Sequence, residues 1–167
     1  YQAPAQSGTA TVRASYGNLT GSLTVSVANA APTIVNSAAA GSSNVTTTST
    51  TLSVLANDDG GEGNLTYSWS LTSSPANAVT NFSDNPSNSA KATPVTFSEA
   101  GAYTFLVSVS DGSLTTTSSV TLNVVQKITT IGVSPANSSL NLGGSTTLTA
   151  TAYDQFNAAL TVQPTFT

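Results

Sequence analysis

The chain has no cysteine, no histidine and no methionine, and among its 167 residues the only cations are Arg13, Lys91 and Lys127. Each absence removes a class of chemistry. Without cysteine there is no disulfide framework and no thiolate nucleophile. Without histidine the commonest general base and the commonest metal-ligating imidazole are gone. Three scattered cations cannot build the basic footprint that a phosphate backbone requires, which excludes nucleic acid as a partner. Charged residues make up 6% of the chain, against roughly 25% in an ordinary soluble domain. No apolar run approaches the roughly 20 residues of a membrane span. No signal-peptide pattern opens the sequence, so we expect a segment cut from its targeting context.

What remains is rich in Thr, Ser, Ala, Asn, Val and Gly. Such a composition disfavours helix and favours strand. Apolar and polar residues alternate over many segments and the net charge is small, which argues against disorder. The period-two stretches are Thr9 to Tyr16, Gly21 to Ala28, Thr33 to Ala40, Thr50 to Asp59, Leu65 to Ser74, Ala90 to Ser98, Gly101 to Gly112 and Leu114 to Gln126. The first two, joined by "YGNLTG", predict a hairpin. "NAAPTIV" then marks a boundary. The following stretches, with turn signals between them, predict an antiparallel β-sandwich of about seven strands. Trp69 in mid-strand and Tyr103 just after a turn suit the core Trp and the corner Tyr of an immunoglobulin-like sandwich. After Gln126 we expect a strand at "TTIGVSP", a kinked piece at "SSLNLGG", a strand at "STTLTATAYD", a turn at "QFNA" and a strand starting at "VQPTFT".

The last segment resembles the front of bacterial Ig-like repeats of the group 2 type. The residues that carry the likeness are "IGVSP" (Ile131 to Pro135), "LNLGGSTTLTATAYD" (Leu140 to Asp154) and "QFN". The opening, "YQAPAQSGTATVRAS" followed by "GSLTVSV", resembles the back of the same family. The middle, through "LTYSWSL" and "GAYTFLVSVSDGSLTTTSSVTLNV", is similar to the PKD or cadherin-like group of extracellular Ig-like modules. It departs from PKD in lacking a "W-x-F-G-D-G" stretch. The resemblances imply an all-β chain of tandem immunoglobulin-like β-sandwiches. Residues 1–29 would be the back half of one domain, 30–126 a complete sandwich, and 127–167 the front half of another.

Candidate chemistry is sparse. "NDDGGEGN" (Asn57 to Asn64) holds three of the seven carboxylates between two strands. Hard oxygen ligands on a Gly-rich loop suit calcium, and Asp58, Asp59, Glu62 and Asp111 are the candidate ligands. The alternative is a solvated turn. No other cofactor is expected. Adjacent loop acids on a small sandwich offer no cleft for glycoside hydrolysis, and we expect no enzyme. Some surface Ig-like domains of the kind this chain resembles join Lys to Asn in an isopeptide crosslink, for which Lys91 and Lys127 are the lysines here. Tyr67, Trp69, Phe82, Phe97, Tyr103 and Phe105 sit at strand positions and suit a core better than a sugar platform. Sequons at Asn18, Asn44, Asn64, Asn81 and Asn137 are expected by chance in so Asn/Ser/Thr-rich a chain.

The function these features imply is a structural repeat module of an extracellular bacterial fibre, stalk or adhesin, secreted or held at the cell surface. Its partners would be neighbouring copies or adjacent Ig-like repeats, met head to tail, with the split domain completed across the junction. A window cut from a longer array would present the same ends. The alternative function is an accessory or carbohydrate-binding module of a secreted carbohydrate-active enzyme, with a polysaccharide or cell-surface ligand.

Overall fold

A computed structural model describes residues 7–166 of the chain. Its centre is two packed four-stranded sheets. One has the order β3 (Thr33–Ala40), β5 (Ser49–Asn57), β8 (Ala92–Phe97), β7 (Thr80–Phe82). The other has the order β4 (Asn44–Val45), β10 (Thr115–Val124), β9 (Gly101–Ser110), β6 (Thr66–Ser73). Pairing is antiparallel except between β4 and β10. Short 3₁₀ turns occupy Glu62–Asn64 and Ser89–Lys91. Outside the sandwich stand two separate two-stranded sheets: β1 (Gly8–Tyr16) with β2 (Leu19–Val27), and β11 (Thr130–Ser134) with β12 (Thr149–Tyr153). The fold is all-β and immunoglobulin-like.

Strand alternation builds the core directly. Successive side chains point to opposite faces, so in β9 Tyr103, Phe105, Val107 and Val109 are buried while the residues between them face outward. Leu65 just before β6, Tyr67 and Trp69 within it, Leu122 and Val124 in β10, and Leu52, Val54, Val95 and Phe97 in the facing sheet complete it. The aromatic rings form a cluster. Phe97 lies 4.8 Å from Tyr103, and Phe82 meets Phe105 edge-on at 5.8 Å. Such ring pairs add about 0.5–1.5 kcal/mol beyond simple burial. The outer face of β6, β9 and β10 is mainly hydroxylic: around Leu106 lie Ser68, Ser70, Thr104, Ser108, Thr117 and Thr121, with the Thr104 and Thr121 hydroxyls 3.0 Å apart. These groups keep the face wet without charge.

Both expected marker residues are in place. Trp69 is buried and its Nε1 donates to Ala90 O at 2.8 Å. Tyr103 is buried and its hydroxyl donates back to Glu99 O at 2.8 Å. The corner that holds this tyrosine needs glycine at position 101. Its φ is 142°, and a Cβ there would collide with the ring of Pro75.

Two strands were not foreseen, β4 and β7, because two or three residues carry no period. The kinked piece at "SSLNLGG" carries no strand, none forms over the described residues of "VQPTFT" where one was expected to begin, and the "STTLTATAYD" strand shortens to β12. A strand exists only where a partner accepts its ladder, and β12 pairs with just five residues of β11. The start of the opening segment, residues 1–6, and Thr167 lie outside the described residues.

The outer edge of β6 is closed by a side chain. Asn85 accepts from Trp69 N at 2.7 Å and donates Nδ2 to Trp69 O at 2.9 Å, pairing like a strand residue. Replacing Asn85 by Ala strands both backbone groups, which costs about 1–3 kcal/mol. Urea unfolding is expected to show a lower midpoint with an unchanged slope.

Candidate functional site

A cluster of polar groups lies at each place where the sandwich meets an outer sheet. Strand β9 runs from the 98–101 corner to the turn at Asp111, and ten residues at about 3.4 Å each span roughly 30 Å. The β1–β2 hairpin joins at the Asp111 pole, through the linker at Asn29 and Ala30. The β11–β12 sheet joins at the opposite pole, beyond Val124.

At the first pole, Asn29 Nδ2 donates to Asp111 Oδ2 at 2.8 Å, and Ala30 N donates to Asp59 Oδ2 at 3.3 Å. Asp111 Oδ1 accepts from Ser113 N and Leu114 N, each at 2.7 Å. The Leu114 and Ser113 amides, followed by Asn29, hold its carboxyl below the usual carboxylate range. Asp58 Oδ2 accepts from Gly60 N at 2.9 Å, and Asn64 Nδ2 donates to Gly60 O at 2.7 Å. A pocket of about 250 Å³ opens between these loops, with Asn29, Asp58, Gly60, Asn64, Asp111 and Ser113 in its wall. Asp58 Oδ1 is fully buried and meets no hydrogen-bond donor among the described residues.

Of the four residues singled out from sequence, the fold brings Asp58 and Asp111 to one pocket. Asp59 is turned onto the linker amide. Glu62 is carried away by its 3₁₀ turn: both its oxygens lie 3.0 Å from Lys91 Nζ, and Oε1 also accepts from Tyr67 Oη at 3.2 Å and Asn88 Nδ2 at 3.3 Å. Lys91 holds the Glu62 carboxyl below its ordinary value, with Tyr67 and Asn88 adding to it against the opposing effect of burial. Among the described residues no three metal-ligating side chains of the Asp, Glu, His or Cys type share one cluster.

Lys91 Nζ also lies 3.3 Å from Asn88 Oδ1. That is the set of groups an isopeptide bond uses. The bond, however, needs a neutral amine and a protonated acid in a dry pocket, whereas here the amine and the acid are 37% and 30% exposed and Glu62 is ionised. The trio is an ion pair that braces a loop.

At the second pole the central residue is Asp154, only 2% exposed. Its Oδ1 accepts from Phe156 N at 2.9 Å and Ala158 N at 3.0 Å, and its Oδ2 accepts from Gln126 Nε2 at 3.0 Å. Burial pushes this carboxyl up, but Gln126 and the two amides outweigh it and the net shift is downward. Gln155 Nε2 reaches back to Val125 O at 2.9 Å, and Gln126 Oε1 accepts from the Thr161 hydroxyl at 3.0 Å. A pocket of about 720 Å³ lies beside this lock, between the 98–101 corner and Phe156. Sequence reasoning read Asp154 only as part of a repeat pattern. The available signal was an acid opening a "DQFN" turn whose Asn157 takes φ 60°, the setting in which a carboxylate bonds its own backbone.

The aromatic residues weighed as a sugar platform are elsewhere. Tyr67, Trp69, Tyr103 and Phe105 are buried, and Phe82 and Phe97 pack against them. No helix among the described residues is long and apolar enough to cross a membrane.

The family model described as K319L-like, PKD domain, matches residues 39–124, just over half the chain. The chain belongs to this PKD family. Its matched residues begin in β3 and end with β10, so they cover the PKD sandwich and neither outer sheet. Among solved structures, the crystal structure of the S-layer protein rSbsC(31-844) is 18% identical over 93% of this chain and 21% of its own, with a TM-score of 0.40. SbsC domains 4 and 5 are 22% identical over 71% of this chain and 58% of theirs, with a TM-score of 0.32. The chain thus spans about a fifth of the larger of these structures. No curated protein matches it.

Two outcomes are expected of the carboxylates. Glu62, Asp111 and Asp154 have lowered folded pKa values. Their contribution is therefore complete above the unfolded carboxylate range, near pH 4, and is lost as pH falls through the lowered folded values. Thermal melts should be flat from about pH 5 to 8 and drop steeply below about pH 4. Replacing Asp154 by Ala leaves buried amides unpaired and should cost about 2–3 kcal/mol at neutral pH, read by chemical unfolding.

Proposed function

We propose that this PKD chain is a structural module of an extracellular bacterial fibre, stalk or adhesin, strung to neighbours of the same kind through its two outer sheets. A split group 2-like Ig domain, its back half at residues 1–29 and its front half at 127–167, is completed across each junction. The observation that carries this is the pair of one-sided sheets. In the hairpin, Ala10, Val12, Ala14 and Tyr16 lie opposite Val25, Leu23, Gly21 and Leu19, so one face is wholly apolar. The other face holds Thr, Ser and Arg13. Tyr16, Leu19 and Leu23 are 87%, 74% and 65% exposed. At the other pole Ile131 and Val133 pair with Ala152 and Ala150, and they are 54% and 51% exposed.

An apolar sheet face of this size wants a cover. The face of each sheet suits the other: both are apolar, both lack charge, and stacked sheets pack about 10 Å apart on aliphatic side chains of this kind. Two poles some 30 Å apart keep one chain from closing on itself, so the cover comes from a neighbouring copy or an adjacent repeat. A contact between two unlike patches that does not close gives a filament. The polar locks at Asp111 and Asp154 then set the angle of each sheet to the sandwich, and the load passes along β9. Low net charge permits lateral packing with little repulsion.

Complementary variants test the completion. Leu23→Glu disables the hairpin face and Ile131→Glu the opposite one. The unaltered chain should form concentration-dependent linear oligomers in sedimentation. Each variant alone should be monomeric, and their equimolar mixture should stop at the dimer. A chain that stays monomeric at all concentrations, or variants that still polymerise singly, would exclude completion between copies.

A further inference from the structure

We infer that residues Leu140–Leu142 of one copy join the hairpin of the next copy as a third strand, parallel to β2 along its outer edge. This rests on the completion proposed above and names the backbone contact that closes it. The ground is a correspondence within the chain itself. In the sandwich the chain forms β3, crosses to the other sheet as β4, and returns to pair β5 with β3. β4 lies parallel to the last strand, β10, on the side away from β9. There the Asn123 and Val125 amides donate to Ser43 O and Val45 O, each at 2.8 Å. Asn44 is exposed and Val45 is buried. Residues 127–166 repeat the opening of that path: β11 and β12 pair antiparallel as β3 and β5 do, and between them stands "LNL", alternating in the same way. The hairpin repeats its close, with β1 and β2 paired as β9 and β10 are. Among the described residues neither outer sheet has a contact like that of β4 with β10, yet between them they hold both of its sides.

The hairpin edge has the right phase. Gly17 and Asn18 form a two-residue turn, so Tyr16 and Leu19 beside it exchange both backbone bonds, and every second pair along the ladder does the same. Leu23, Val25 and Val27 therefore turn their amides toward β1, and Thr24 and Ser26 turn theirs outward. β10 has the same phase: the buried Leu122 and Val124 alternate with the outward amides of Asn123 and Val125. Ser26 and Ala28 thus stand where Asn123 and Val125 do, and the Leu140 and Leu142 carbonyls where those of Ser43 and Val45 do. A row of unpaired edge amides is a template for an added strand. On the other side, the backbones of Leu140 and Leu142 have no partner among the described residues, and the Leu142 side chain is fully exposed. In this register both leucines fall on the face of Val25 and Val27, and so extend the apolar surface that stacks on Ile131 and Val133. The run is irregular by itself because a strand needs a partner for its ladder.

Hydrogen exchange read by mass spectrometry tests this on the whole chain, comparing the associated state with the monomeric Leu23→Glu variant. On association, peptides holding Leu142 and peptides holding Ser26 and Ala28 should exchange about tenfold more slowly or better. Ser26→Pro removes one outward amide, which an edge strand tolerates, and leaves the apolar face whole. It should raise the concentration of half-association about tenfold, the scale of one lost hydrogen bond. Ser22→Pro, the same change on the same edge but beyond the reach of three residues, should leave that concentration unaltered. Leu142→Asp, at a fully exposed side chain, should act as Ser26→Pro does, and it carries the test if Ser26→Pro fails to fold. A chain that never associates overturns the completion and this inference with it. A chain that associates while residues 140–142 and the β2 edge exchange as in the monomer overturns the strand addition alone. Undiminished association in Ser26→Pro or Leu142→Asp does the same.

Discussion

The alternation of β9 between two neighbouring strands is the constraint on which the remainder of the structure depends. Its inward residues, Tyr103, Phe105, Val107 and Val109, touch both sheets and make up much of the buried core. A shift of register by one residue would turn all four outward and bring Thr104, Leu106 and Ser108 inside. The strand is pinned at both ends against that shift. At one end Gly101 and Pro75 meet closely and the Tyr103 hydroxyl returns to Glu99. At the other end Asp111 gathers the Ser113 and Leu114 amides. Because β9 also runs from one pole to the other, the element that fixes the core fixes the distance between the two outer sheets.

Scarcity of charge decides how the turns are built. With three cations in the chain, carboxylates cannot be satisfied chiefly by ion pairs. Asp111, Asp154 and Asp84 are instead satisfied by amides and hydroxyls, which need no counter-ion and fix backbone shape more tightly than an exposed salt bridge does. Each joint consequently owes its geometry to an acid that bonds the sandwich on one side and a flanking segment on the other. Asp58 follows the pattern with one oxygen, on Gly60 N, while the other is buried and meets no donor among the described residues.

Much of the sandwich was legible in particular residues. "YSWS" alternates strictly, "GAYTFLVSVS" does so apart from the outward apolar Ala102 and Leu106, and their buried residues are those the alternation names. Glu62 was less legible. It sits among acids in the sequence, but the 3₁₀ turn at Glu62–Asn64 swings it to Lys91, 29 residues away. Asn85 gave no sign of closing the β6 edge, because a side chain that imitates a strand has no period. The strand expected to begin at Val162 had the right composition but, among the described residues, no partner to accept its backbone. Composition alone does not make a strand.

The sequence by itself determined the all-β class, the inward face of each long strand, the exclusion of histidine and thiol chemistry, and the one-sided character of both outer sheets. These follow from neighbouring residues, since a period of two is written locally. The tertiary structure alone decided which acids share a pocket, which are taken by backbone amides, and which oxygen is left without a partner among the described residues. Those outcomes depend on loops that meet only because separate strands end at the same pole, and no local pattern encodes that meeting.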